Sequence, residues 1–134
     1  MNFTNETLGL CLHSGWSPKE LNFHWSSSKF CTIILPVKKR KKKVGLQFIV
    51  EPFLAPGLLN EQDIQIFLNG IYAYGNTFEK PEQDIIFVEM DPSLLIFESV
   101  KVDMVFSGAK SPFSLGLSND RRNLAFKLFE ISII

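Results

Sequence analysis

The feature that most constrains this chain is a series of short segments in which apolar and polar residues alternate, each closed by Pro, Gly or Asn-Gly. From Ser99 to Phe106, the residues Val100, Val102, Met104 and Phe106 share one parity, as in a strand with one face in a core and the other in solvent. Val44 to Phe53 repeats the pattern, with Leu46, Phe48 and Val50 set against Gly45, Gln47 and Ile49, and it ends at Pro52 and an Ala55-Pro56-Gly57 turn. Asp63 to Leu68 places Ile64, Ile66 and Leu68 opposite Gln65 and Phe67. Asn69-Gly70 follows; both residues accept the positive φ of a type I′ turn, so Ile71 to Tyr74 is expected to return as a hairpin partner. A period of two, broken every ten or so residues, does not suit a helical bundle.

The remaining segments extend the same reading. Residues 7–13 read as a first strand, ended by the Gly15-Trp16-Ser17-Pro18 turn, where Ser17, with Glu20 three residues on, could also cap one helical turn. Phe30 to Val37 and Val44 to Phe53 are expected to pair as a hairpin with the basic run Lys38, Lys39, Arg40, Lys41, Lys42, Lys43 at its tip. Asp84 to Met90 alternates weakly before an Asp91-Pro92-Ser93 turn, and Gly108 to Pro112 breaks the chain again. In the last segment Leu124, Phe126 and Leu128 give way to Phe129, Ile131 and Ile133, the change of parity that a bulge produces. About eight strands in one domain spanning 1–134 predict an all-β fold, an antiparallel β-sandwich. Thirteen Phe and few helix formers agree with a sheet-rich interior, and 134 residues bury a core without metal or disulfide staples.

Charge narrows the partners. Fourteen basic residues balance 14 acidic ones, but six of the basic ones are Lys38 to Lys43, which leaves the rest of the chain mildly acidic. No global field draws the chain to nucleic acid or to an anionic membrane, and no aromatic residues are interleaved with the basic run to stack on bases. The run reads as a solvated tip that discourages edge-to-edge pairing, or as a holder of an anionic polymer or of the phosphates of a lipid-linked sugar. No run approaches the roughly 18 apolar residues of a membrane span, and MNFTNETLGL lacks the pattern of a secretory leader, so the expected location is the cytoplasm. Cys11 and Cys31 lack the spacing and company of a zinc site, and no metal or other cofactor is expected.

Gly15 to Ser26 holds both tryptophans, His24 and Glu20 among turn residues, and is the first candidate for a site. Trp16 and Trp25 could form a platform for a flat ligand or plug the end of a sandwich. Glu20 could meet Asp120 and Arg122 at one rim, either as a clamp between distant segments or as polar contacts for a sugar stacked on the indoles. Hydrolysis is disfavoured, because arginines beside Glu20 and Asp120 would lower both carboxyl pKa values where a general acid needs one raised. His13 and His24 lack further ligands at metal spacing, and no nucleophile elbow or phosphate loop occurs.

Three pieces of the chain, Gly15-Trp16-Ser17-Pro18-Lys19-Glu20 with Trp25-Ser26, Gln65 to Gly70, and Ser111 to Leu124, together resemble a little-characterised bacterial jelly-roll domain with a GWS-x-x-E…WS opening and an SP-x-x-LGLS-x-D-x-R-x-LG ending. Ala125 stands where that pattern has Gly, and the middle piece, a strand ending in Asn69-Gly70, also resembles galactose-binding-like sandwiches, so the resemblance implies a sandwich of jelly-roll, galactose-binding-like type. The resemblance implies an accessory, non-catalytic module found beside glycosyltransferases and other proteins of surface polysaccharide assembly, with a saccharide or such a protein as partner. A protein-interaction or homo-oligomerising module without sugar binding is the alternative, and a sugar-modifying enzyme a third.

Overall fold

The computed structural model describes residues 1–95 and 97–134. Among these, ten strands form two antiparallel sheets. The first runs β1 (Asn2–Thr4), β10 (Phe126–Ile133), β5 (Val44–Pro52), β8 (Asp84–Met90), with β3 (His24–Trp25) also paired to β10. The second runs β2 (Leu12–Ser14), β4 (Phe30–Pro36), β9 (Ser99–Val105), β6 (Gln62–Leu68), β7 (Ile71–Phe78). From β4 onward the chain changes sheet at every connection except β6–β7, which gives the interleaved Greek keys of a jelly roll.

The alternating residues pack where their parity puts them. Leu46, Phe48, Ile64, Ile66, Val100, Val102 and Phe106 are all at most 1% exposed, in the layer between the sheets. Each such side chain contributes about 1.5–3 kcal/mol by leaving water. Phe126 closes one end of this layer, with its ring 5.4 Å from Phe78 and 5.6 Å from Phe106. The parity change in the last segment is a bulge: the register with β5 shifts between Leu128 and Glu130, so that Leu128 and Ile131 are both buried. The Asn69-Gly70 turn also forms as expected, with φ of 49° and 83°. Its Asn69 side chain stitches the turn to the neighbouring loop, accepting from the Lys101 N–H at 2.9 Å and donating to the Leu94 carbonyl at 2.8 Å.

The structure corrects three expectations. Residues 7–13 are not a strand: a helix, α1 (Asn5–Cys11), precedes the short β2. The Thr7 hydroxyl accepts from the Thr4 N–H at 3.0 Å and donates to the Thr4 carbonyl at 2.7 Å, which fixes the first turn. Leu8 and Cys11, three residues apart, then face the core, a spacing that suits a helix but offers only two core positions in seven residues to set against a strand reading. Secondly, β4 and β5 do not form a hairpin. β4 pairs with β2 and β9, β5 lies between β10 and β8, and residues 37–43 cross from one sheet to the other. Alternation fixes which face of a strand is buried, not which strand lies beside it, and a connection of this length spans the roughly 10 Å between packed sheets. Thirdly, Ser17 caps no helix; its residue is buried in the turn.

Cys11 and Cys31 are free thiols in the interior. Cys31 is fully buried, donates to the Gly15 carbonyl at 3.1 Å, and burial pushes its pKa up to about 12. Gly15 itself has φ +87°, and a Cβ there would stand 2.5 Å from the Phe30 carbonyl oxygen and 2.8 Å from Cys31 Sγ. Gly15→Ala is therefore expected to lower the unfolding free energy by at least about 2 kcal/mol in urea titration. In the parent, a thiol reagent at pH 8 should leave Cys31 unmodified until urea unfolds the chain.

Candidate functional site

The opening and closing segments singled out in the sequence meet at one rim. Trp16 and Ser26 form an antiparallel bridge, and the buried Ser26 hydroxyl accepts from the N–H groups of Ala125 and Phe126 at 3.2 and 2.9 Å. Arg122 donates from Nη1 to Ser17 Oγ at 3.1 Å, and from Nε and Nη2 to the Asp120 carboxylate at 2.7–3.2 Å. These charged hydrogen bonds hold the Asp120 carboxyl below its ordinary pKa and raise that of Arg122. Glu20 is exposed and makes no ion pair with Arg122, but its charge adds to that rise. With both its oxygens engaged by Arg122, Asp120 works as half of a clamp.

The two tryptophans do not stack together. Trp16 packs against the core and donates from Nε1 to the Thr32 carbonyl at 3.2 Å. Trp25 is in register with Lys127 on the outer side of the first sheet, half-buried between Phe23 and Phe53 with both rings edge-on at 5.9 Å. Lys127 Nζ lies 4.6 Å from the Phe23 ring and 5.3 Å from that of Trp25, and pairs with Glu51 at 3.3 Å. Such a cation over aromatic faces stabilises the cluster and leaves less indole face for a ligand. His24 is buried, with Nδ1 2.9 Å from the Ser17 carbonyl; a carbonyl only accepts, so Nδ1 carries the proton.

A second site emerges on the outer face of the second sheet, a groove of about 490 Å³ lined by Asp63, Gln65, Tyr72, Gly75, Thr77 and Ser107 together with neighbouring backbone. That volume lies within the range of about 300–1,000 Å³ that ligand pockets occupy. Asp63 is its carboxylate, and each oxygen accepts one hydroxyl: Thr77 Oγ1 at 2.7 Å and Ser107 Oγ at 3.1 Å. Each oxygen retains a lone pair for a further donor. Tyr72 is 56% exposed and meets Phe67 edge-on at 5.7 Å. A bulge sets it there. Tyr74 pairs with the inward Ile66, whereas Tyr72 pairs with Phe67, so the extra residue Ala73 turns Tyr72 from the core side to the outer face. Gly75 lies beneath the ring, and a Cβ there would overlap the tyrosine hydroxyl. The sequence reading passed over this site. Its one signal is Tyr72-Ala73-Tyr74-Gly75, which lacks strict alternation just after a hairpin turn.

No protein-family model and no curated protein matches this chain. Solved structures do. The chain is similar to a family 35 carbohydrate-binding module from an environmental isolate, with a TM-score of 0.61 and 9% identity over 100% of this chain and 92% of that one. It is similar to the CBM35 of Paenibacillus barcinonensis at a TM-score of 0.58 and 9% identity, covering 100% and 98%. Dimeric latent PorU from Porphyromonas gingivalis matches at 0.60 and 14% identity; 99% of this chain is covered, but only 12% of PorU. The likeness is one of fold. It agrees with the antiparallel jelly-roll sandwich traced above.

The clamp has a pH signature. Because the folded state depresses the Asp120 pKa, the pair stabilises at neutral pH and its contribution is lost as pH falls through the folded value, below about 4. Asp120→Asn is expected to cost about 1 kcal/mol at pH 7, the upper end for a partly exposed pair, with the difference from the parent closing as pH falls below the ordinary carboxylate range in thermal melts.

Proposed function

We propose that this protein is a non-catalytic saccharide-binding module that takes its ligand in the Tyr72 groove. The observation that carries the reading is the exposed Tyr72 ring beside a hydroxyl-buttressed carboxylate, on a fold shared with carbohydrate-binding modules. A pyranose offers an apolar face of C–H bonds to an aromatic ring and a rim of hydroxyls to Asp63, Gln65 and Thr77. Asp63 is the one carboxylate among the described residues lining the groove, whereas glycoside hydrolysis uses a pair. The groove carries no cation among those residues, so the preferred ligands are neutral sugars. In this reading Trp16, Trp25, Asp120 and Arg122 brace the rim with Glu20 exposed beside them, and the biological setting is bacterial surface polysaccharide assembly, beside a glycosyltransferase.

A protein-interaction role is the second reading. It is favoured by β8, an edge strand with Ile85 and Phe87 56% and 47% exposed.

A glycan array followed by calorimetric titration tests the proposal. Tyr72→Ala should weaken binding about five- to tenfold, and Asp63→Ala about tenfold or more, while both keep the parent's melting temperature within a few degrees. Trp25→Ala should leave affinity within about twofold. Binding that survives Tyr72→Ala and Asp63→Ala unchanged, or a parent that binds no glycan, overturns it.

A further inference from the structure

We propose that the end of the sandwich carrying the basic connection docks on a bilayer surface rich in anionic phospholipid. The inference stands apart from the saccharide groove and rests on a different set of residues.

Residues 38–43 are all exposed and basic, and they form the crossing between the sheets. Arg40 fixes that crossing to the body of the protein, donating from its guanidinium to the carbonyls of Lys43, at 2.7 Å, and Ile134. Lys43 lies 3.9 Å from Glu89. Lys38, Lys39, Lys41 and Lys42 make no side-chain hydrogen bond or ion pair among the described residues, so four cations stay available. Acidic groups at this end are Glu89, Asp91 and Glu98, fewer than the six cations.

Charge alone would make a solvated loop. The second observation is apolar. The Val37 N–H donates to the Glu98 carbonyl at 3.2 Å, which brings the backbone at Phe97 beside the crossing, and the residue is 76% exposed in a hollow shared with Asn69, Gly70 and Lys101. Lys38, Arg40 and Glu98 share a hollow of about 390 Å³ with Pro36, Val37 and Ile133. An exposed aromatic ring next to a cluster of lysines suits the headgroup boundary of a membrane, where the ring enters the acyl region while the cations meet lipid phosphates and carboxylates. Nucleic acid fits less well, since one ring offers no stacking track and the remaining surface is mildly acidic. No helix among the described residues is long and apolar enough to cross a membrane, so attachment would be peripheral.

The register gives the docked orientation. On β9, Ser99 pairs with Pro36 at the basic end, and Val105, on the saccharide groove, pairs with Phe30 at the other. Six residues of strand separate them by about 20 Å, while Tyr72, level with Asp103 through Phe67, lies about 13 Å along the strand from Ser99. A bilayer against Phe97 and the lysines leaves the Val105 end of the groove farthest from the lipid.

The test is cosedimentation of the full chain with vesicles of phosphatidylcholine alone, or with about 30% phosphatidylserine. The parent should partition onto the anionic vesicles at low salt and release as salt rises. Combined Lys39→Ala, Lys41→Ala and Lys42→Ala should reduce the partition coefficient about 100-fold, at about 1 kcal/mol per lysine. Phe97→Ser should reduce it about tenfold with the salt dependence unchanged, and Tyr72→Ala should leave it intact. Melting temperatures equal to the parent's show that the losses are not unfolding. Equal partition onto neutral vesicles, no partition at all, variants that bind like the parent, or retention by a DNA oligonucleotide in place of vesicles would each overturn the proposal.

Discussion

Strand β10 is the constraint on which the first sheet depends, because one strand pairs with β1, β3 and β5 at once. Its Phe126 to Leu128 half is held between β3 and β5, and its Glu130 to Ile133 half between β1 and β5. The Ser26 hydroxyl, fully buried, satisfies the N–H groups of Ala125 and Phe126 where the strand begins. An orphaned N–H at that depth would cost a large share of a small domain's stability. Bringing Ser26 there also brings the whole Gly15 to Ser26 segment to the rim, where Arg122, held by Asp120, ties Ser17 to the loop that precedes β10. The rim residues are thus organised by what the backbone of β10 needs.

Two bulges decide what reaches the surface. In β10 the register shift after Leu128 lets both halves of the strand bury their apolar side, and Phe129 meets Phe23 outside the core at 5.6 Å. In β7 the extra residue Ala73 sends Tyr72 outward while Tyr74 still packs against the core. One inserted residue reverses the direction of every side chain beyond it, so it can move an aromatic ring from packing to the surface with little change elsewhere. Gly75 completes the arrangement by leaving room for the ring to lie along the strand.

Much of the fold was legible because parity is written in the sequence. Val100 to Phe106, the Asn69-Gly70 turn and the parity change at Phe129 each found its expected form. What parity does not encode is partnership: the Phe30 and Val44 strands are sequence neighbours, yet they belong to different sheets. The first helix was hidden because its seven residues bury only Leu8 and Cys11, a spacing too short to separate the two periods. The opening and closing segments meet as expected, but not through opposite charges: Arg122 reaches Ser17, Ser26 accepts from Ala125 and Phe126, and the ion pair of Asp120 with Arg122 lies within the closing segment. The Tyr72 groove was not legible, since it rests on a bulge and on residues of three strands that converge only after folding.

The proposed saccharide site lies on the outer face of the second sheet, around Tyr72 and Asp63. The most direct measurement is a titration of the isotopically labelled chain with a bound glycan, following backbone amide shifts residue by residue. The largest changes are expected at Asp63, Gln65, Tyr72, Gly75, Thr77 and Ser107. Changes confined to residues 15–26 and 118–123 would contradict it.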